Sequence, residues 1–252
     1  MPAPLPNAPV TEASAYQRIG NAQAILLDWD GCVALDDVPT PGAIRFLKEF
    51  QNRLAIVSNN STNLPEDFAD LLRRAGCYIP PDRIFLAGAE ALAHAARIGT
   101  GRTMLLGNRR MEVQAELLGI LLDDRAPDTI VLMRDTGFSF ARLQAAANAV
   151  AGGARLIVSN ADRTHPGVDG GLVPETGALL AALTACAPDA VFEVIGKPSP
   201  LLFHRACESL GAAPRRAIMI GDNPDTDIRG ARALGMDALL IGPAGELPAL
   251  AL

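Results

Sequence analysis

The strongest constraint on this chain is a set of four short apolar runs, each cut off by a polar cluster. The runs are Ala24-Ile25-Leu26-Leu27, Leu54-Ala55-Ile56-Val57, Phe192-Glu193-Val194-Ile195 and Ala217-Ile218-Met219-Ile220. Runs of this length between polar or glycine punctuation predict strands buried on both faces. The segments between them carry helical periodicity, and alternation of strand with helix predicts a parallel sheet. Open parallel sheets bind ligands in the crevice beyond the carboxyl ends of their strands. The closing clusters are therefore expected together on one edge: Asp28-Trp29-Asp30-Gly31, Ser58-Asn59-Asn60-Ser61, Gly196-Lys197-Pro198 and Gly221-Asp222-Asn223, with Asp227 close behind.

Helices are predicted over 11–19, with Thr11 as N-cap and Gly20 as terminator, over 42–50, and over 65–75, with Asn63 near the N-cap. Between 87 and 186 no paired aspartates and no strand-end lysine recur. Strands are nevertheless predicted there at 103–106, 129–133 and 156–159, separated by helices at 111–118, 140–150 and 176–185. That stretch is long enough to be a small α/β domain, and the last third returns to the first pattern. The chain thus reads as a core, residues 1–86 and 187–252, interrupted by an inserted domain, residues 87–186.

A net charge of -6 and a pI near 5.1 argue against a nucleic-acid or anionic-membrane partner, which would demand a basic face. The four cysteines, Cys32, Cys77, Cys186 and Cys207, show no C-x-x-C spacing and are expected as reduced thiols in a cytoplasmic protein. Residues 1–10 lack a basic start and an apolar signal core and are expected as a flexible leader. No apolar run approaches the roughly 20 residues of a membrane helix.

Two carboxylates, a hydroxyl, an amine and a third carboxylate at strand ends fit Mg²⁺-dependent phosphoryl transfer through an aspartyl-phosphate. A bare D-x-D is weak, since Asp225-Thr226-Asp227 supplies another. Asp28 and Asp30 are set apart by their place directly after a buried run and before Gly31.

Taken in order, these clusters resemble the haloacid dehalogenase (HAD) superfamily. The long insertion between the second and third resembles its subfamily IIA, the C2-capped phosphatases of the NagD and 4-nitrophenylphosphatase type. The resemblance implies a Rossmann-like parallel-sheet α/β core with an inserted, smaller α/β C2 cap domain. It implies Asp28 as nucleophile, with Asp30 as general acid and then general base. Magnesium, which prefers oxygen ligands, would be held by the Asp28 carboxylate, the Asp30 carbonyl and the Asp222 carboxylate. Asp227 and Asn223 would support that set from behind, with Asp227 reaching the metal waters or Lys197. Lys197, the Ser58 hydroxyl and the Asn59 amide would face the phosphoryl oxygens, and Gly31 would leave room for close backbone approach.

In this subfamily a cap loop selects the substrate, and the matching stretch is 160–171, with Asn160, Asp162, Arg163 and His165. The spacing of Asp162, His165 and Pro166 resembles the cap loop of pyridoxal phosphate phosphatases. A small phosphorylated metabolite is expected as substrate, of the sugar phosphate, phosphoglycolate or pyridoxal phosphate type. Capped relatives often dimerise through the insertion, which implies a homodimer through the cap. Trp29 replaces the usual aliphatic residue between the aspartates, and Cys32 stands where valine or threonine is commoner. Asp135 lies in a segment that resembles the cap without a derived role. A receiver-like phosphoacceptor uses similar groups, but its metal-binding acids precede its lysine, whereas Asp222 follows Lys197. An inactive ligand-binding protein of the same fold is the other alternative, and the joint presence of Asp28, Asp30, Lys197 and Asp222 argues against it.

Overall fold

The computed structural model describes residues 12–35, 38–166 and 171–242. The expected leader, the N-cap at Thr11 and the tip of the 160–171 loop lie outside these residues. The chain passes through α1 (Glu12–Asn21), β1 (Ala24–Leu27), a flap of β2 (Ala34–Leu35) and β3 (Val38–Pro39), α2 (Pro41–Phe50), β4 (Leu54–Ser58), α3 (Pro65–Arg74) and β5 (Ile84–Leu86). It continues as α4 (Ala87–Ile98), β6 (Arg102–Leu106), α5 (Arg109–Leu117), β7 (Leu121–Leu122), β8 (Thr129–Leu132), α6 (Phe140–Ala151) and β9 (Arg155–Val158). Then follow a hairpin of β10 (Thr164–Pro166) and β11 (Leu172–Pro174), α7 (Thr176–Cys186), β12 (Phe192–Val194), α8 (Pro200–Ser209), β13 (Ala217–Gly221), a π-helical turn (Pro224–Ile228), α9 (Arg229–Ala233) and β14 (Asp237–Leu240). The predicted helices after β1 and all three predicted strands between 87 and 186 are present within a residue or two. Helix α4 and the two hairpins are additions to that reading.

Two five-stranded parallel sheets organise the molecule, one in the order β14-β13-β1-β4-β5 and the other β12-β9-β8-β6-β7. In the first sheet the winding direction reverses between β1 and β13, the switch point where such sheets open a crevice at their carboxyl ends. Side chains alternate across β1 and β4. Ile25, Leu27, Leu54 and Ile56 pack with Ile19, Leu47 and Phe68 of α1, α2 and α3. Ala24, Leu26, Ala55 and Val57 pack in the layer that holds Phe203 and Ala206 of α8 and Ala231 of α9. The same apolar layer continues through Ala91 and Leu92 of α4 to Leu105, Val131 and Ile157 of the second sheet.

One strand is in a different place from that expected. The run before Lys197 was expected as a doubly buried strand of the first sheet, but β12 is an edge strand of the second, paired with β9. Phe192 and Glu193 are exposed there. A glutamate in mid-run and a solvated phenylalanine suit an edge, where only one side of the backbone ladder is paired. The second sheet therefore extends past residue 186. Among the described residues no helix is long and apolar enough to cross a membrane.

Candidate active site

Three of the four clusters close neighbouring strands of the first sheet. Asp28 follows β1, Asp222 follows β13, and Ser58 ends β4. The turn after Asp28 is tight, because the Trp29 carbonyl accepts N–H groups from Cys32, Val33 and Ala34 at 3.3, 2.8 and 3.0 Å. Trp29 itself is fully buried and stacks on Phe68 of α3, ring centroids 4.1 Å apart, so it anchors the turn to the core. The turn leaves Asp30 exposed to solvent. Gly31 has φ +76°, and a Cβ there would land on the Asp222 carboxylate. Both facts demand glycine.

Lys197 comes from the other sheet. β12 and the residues after it run beside β9, with the Ile195 and Gly196 N–H groups donating to Val158 and Ser159 carbonyls at 3.0 and 2.7 Å. The lysine is 2% exposed, and its Nζ lies 2.6 Å from Asp28 Oδ1 and 2.7 Å from Asp227 Oδ1. Burial alone would lower its pKa, but Asp227 and Asp28 outweigh that and hold the ammonium charged. Asp28 Oδ1 also accepts the Trp29 N–H at 2.8 Å. Asp227 is fully buried in the π-helical turn and accepts the Asn223 N–H at 3.1 Å. The Asn223 side chain caps that turn, accepting from Asp225 N at 2.9 Å. Asn223 thus meets Asp227 through its backbone N–H, while its side chain shapes the turn that carries Asp227.

Three carboxylates, Asp28, Asp222 and Asp227, face one ammonium, an excess of two negative charges in a largely buried space. Burial pushes the Asp28 and Asp222 carboxyls above their ordinary range, with Asp227 adding to both. Carboxylate oxygens of Asp28 and Asp222 lie within 4.8 Å of one another, together with the Cys32 sulfur. A hard divalent cation fits this charge deficit and oxygen set. Cys32 beside these oxygens is 1% exposed, burial pushes its thiol well above the usual range, and its sulfur is softer than the oxygen ligands such a cation prefers.

Ser58 is fully buried at the strand end, its hydroxyl accepting the Asn60 N–H at 3.0 Å. Asn59 does something the sequence did not show. Its Oδ1 accepts the Lys197 N–H at 2.7 Å, and its Nδ2 donates to the Lys197 carbonyl at 3.1 Å and to Asp162 Oδ2 at 2.8 Å. Both amide hydrogens are committed, so the side chain clamps the lysine segment and the cap loop to β4 rather than facing a phosphoryl group. Gly196 makes room for it, since a Cβ there would lie 2.5 Å from Asn59 Oδ1.

The cap-loop residues divide. Asn160 is 1% exposed and donates to the Asn59 carbonyl at 2.9 Å, while Asp162 meets the Asn59 amide, so both reach the site. Burial pushes the Asp162 carboxyl up. Arg163 is exposed, and His165 lies on β10, 3.5 Å from Glu175 Oε1. Glu175 also meets Arg134 Nε at 3.4 Å, and the Arg134 N–H donates to Ser61 Oγ at 3.1 Å. Sequence reading singled out neither Arg134 nor Glu175, although Arg134 directly follows the apolar run Ile130-Val131-Leu132-Met133. Asp135 acquires a local role: its Oδ1 accepts the Gly137 N–H at 2.8 Å and shapes the turn before α6.

Two parallel sheets that face each other by their carboxyl edges, with a lysine bridging two aspartates between them, define a capped α/β enzyme built to handle phosphate. The chain belongs to the haloacid dehalogenase-like hydrolases, as a phosphatase of subfamily IIA, the NagD and 4-nitrophenylphosphatase type. The model of the family described as haloacid dehalogenase-like hydrolase matches residues 25–120, and that of the HAD-hydrolase-like family matches 194–244. The chain is 33% identical over 221 residues to dihydroxyacetone phosphatase of Corynebacterium glutamicum, covering 86% of this chain and 79% of that one. It is 29% identical over 221 residues to the ribonucleotide monophosphatase NagD of Escherichia coli K12, covering 86% of each. Among solved structures, the 4-nitrophenylphosphatase of Thermotoga maritima superposes with a TM-score of 0.80 at 28% identity, over 88% of this chain and 87% of that one. Phosphatases of this family generally use a divalent metal.

Proposed function

We propose that this phosphatase is a Mg²⁺-dependent phosphomonoesterase that works through an aspartyl-phosphate on Asp28. The observation that carries the reading is the buried Asp28 carboxylate at the switch point, 2.6 Å from Lys197 Nζ and beside Asp222. A carboxylate of Asp28 attacks phosphorus in line, and the bond to the leaving oxygen breaks. Asp30, exposed at the turn, protonates that oxygen and later takes a proton from the water that cleaves the acyl phosphate. Lys197, held charged by Asp28 and Asp227, and the Ser58 hydroxyl supply fixed positive charge and a donor to the non-bridging oxygens. Asp28, the Asp30 carbonyl and Asp222 would hold Mg²⁺, which supplies the charge that the excess of carboxylates calls for.

The substrate is a small phosphorylated metabolite, and the cap, with Asn160 and Asp162 at the site, covers its leaving group. The inserted cap is read as about 87–186 between two core segments, and the pairing of β12 with β9 supports extending it to about 195. A homodimer through the cap has a candidate surface in the exposed Val113, Leu117 and Leu121 of α5 and β7. The free thiols suit the cytoplasm.

The test is turnover of 4-nitrophenyl phosphate. Wild-type protein with Mg²⁺ releases phosphate, EDTA abolishes release and added Mg²⁺ restores it, and Asp28→Asn lowers kcat by at least about a thousandfold. Near-normal activity in Asp28→Asn would reject the covalent route.

A further inference from the structure

The cap presents a polar trio that the phosphoryl chemistry does not use. Glu175 stands at the N-cap of α7, its side chain only 17% exposed, with Oε1 3.4 Å from Arg134 Nε and 3.5 Å from His165 Nε2. The trio hangs over the loop after β4. Ser61 Oγ accepts the Arg134 N–H at 3.1 Å and lies 3.4 Å from Thr176 Oγ1, next to Glu175. Asp162 is close enough to Glu175 for their charges to oppose each other, and Asp162 reaches Lys197 through the Asn59 amide. The trio therefore belongs to the face of the cap that meets the loop after β4, the part of the molecule the proposed function sets over the leaving group.

We propose that Glu175, by occupying Arg134, selects phosphomonoesters with neutral, hydroxyl-bearing leaving groups and disfavours those whose leaving group carries a carboxylate. This rests on the phosphomonoesterase reading. A leaving-group carboxylate needs a cation, and the half-buried guanidinium on this side already has a carboxylate partner. It would also meet the negative charges of Glu175 and Asp162. Neutral hydroxyls suffer neither cost, and the Glu175 carboxylate can accept their protons in hydrogen bonds. Glu175 thus acts as a specificity-determining residue, partly through Arg134.

The experiment compares kcat/KM for dihydroxyacetone phosphate and phosphoglycolate, with 4-nitrophenyl phosphate as the common reference. The wild type favours dihydroxyacetone phosphate. Glu175→Gln releases Arg134 and reduces that preference about tenfold through a gain on phosphoglycolate. Adding Arg134→Gln removes the gain, which a merely structural role for Glu175 would not predict. Glu175→Asp, whose shorter carboxylate still suits an N-cap, shifts the ratio in the same direction by less, so the test survives if Glu175→Gln misfolds. A wild-type preference for phosphoglycolate, or an unchanged ratio in folded variants, overturns the proposal while hydrolysis of 4-nitrophenyl phosphate keeps the phosphatase chemistry standing. Failure of the wild type on all three substrates with Mg²⁺ overturns both.

Discussion

Gly31 and Asp222 lie 191 positions apart in the chain, yet each sets the other's place. The positive φ of Gly31 turns the backbone sharply after Asp30, and the missing side chain leaves the space that the Asp222 carboxylate fills. Gly31→Ala is expected to destabilise the fold by about 1 kcal/mol or more through backbone strain. It also displaces an oxygen of the proposed metal set. Thermal melts with and without Mg²⁺ check this: the variant melts lower than wild type and loses most of the Mg²⁺-dependent rise, whereas an equal rise in both proteins would separate Gly31 from the metal. Lys197 makes the same point about charge. The ammonium is shared by two buried aspartates, and removing the lysine leaves their charge uncompensated, at a cost of about 3–5 kcal/mol.

At the scale of elements, β1, β4 and β13 are held by apolar layers on both faces, so the loops that follow them start from rigid ends. Each fully buried leucine or isoleucine in those layers contributes about 1.5–3 kcal/mol. The exposed edge strand β12 has less apolar support, and its connection to the first sheet depends on polar contacts. Asn59 supplies them, clamping the N–H and carbonyl of Lys197 to the end of β4. Asn59→Ala leaves those groups short of partners, with an expected loss of about 1–3 kcal/mol and a fall in activity. Denaturant melts and steady-state rates check the pair of effects; a variant as stable and active as wild type would show that the clamp carries no weight. Further polar ties join the sheets, among them the Asn108 amide to the Thr62 carbonyl at 2.9 Å and the ion pair of Arg110 with Asp67.

For the whole molecule, the balance of buried carboxylates sets the response to pH. Burial raises the carboxyls of Glu90, Asp162 and Glu175 above their ordinary values. A raised group holds its proton longer in the folded state than in the unfolded one. Its stabilisation is complete below the unfolded pKa, about 4, and is lost as pH rises through the folded value. Asp67, Asp128 and Asp237 are lowered by arginine partners and act in the opposite sense, but Asp128 and Asp237 are exposed and screened by solvent, which leaves half-buried Asp67 as the main opposing group. Protein kept free of divalent metal is therefore expected to lose stability as pH rises from about 4 toward neutrality. In Asp162→Asn that loss is smaller. Melting temperatures across this range in EDTA check it, and a loss as large in the variant as in wild type would remove Asp162 from the account.

The sequence alone determined the alternation of strand and helix, the parallel sheets, and the strand ends that carry Asp28, Ser58 and Asp222. Those features follow from hydrophobic periodicity and from punctuation within a few residues, which are local properties of the chain. The ordered clusters were also enough to point to the family. Tertiary structure alone decided that Lys197 arrives from the second sheet, that the Asn59 amide is spent on a clamp, and that Glu175 gathers Arg134 and His165. The reason is distance along the chain: Lys197 meets Asp28 across 169 positions and Asn59 across 138. No local pattern records which partner a polar side chain finds once two sheets are packed edge to edge.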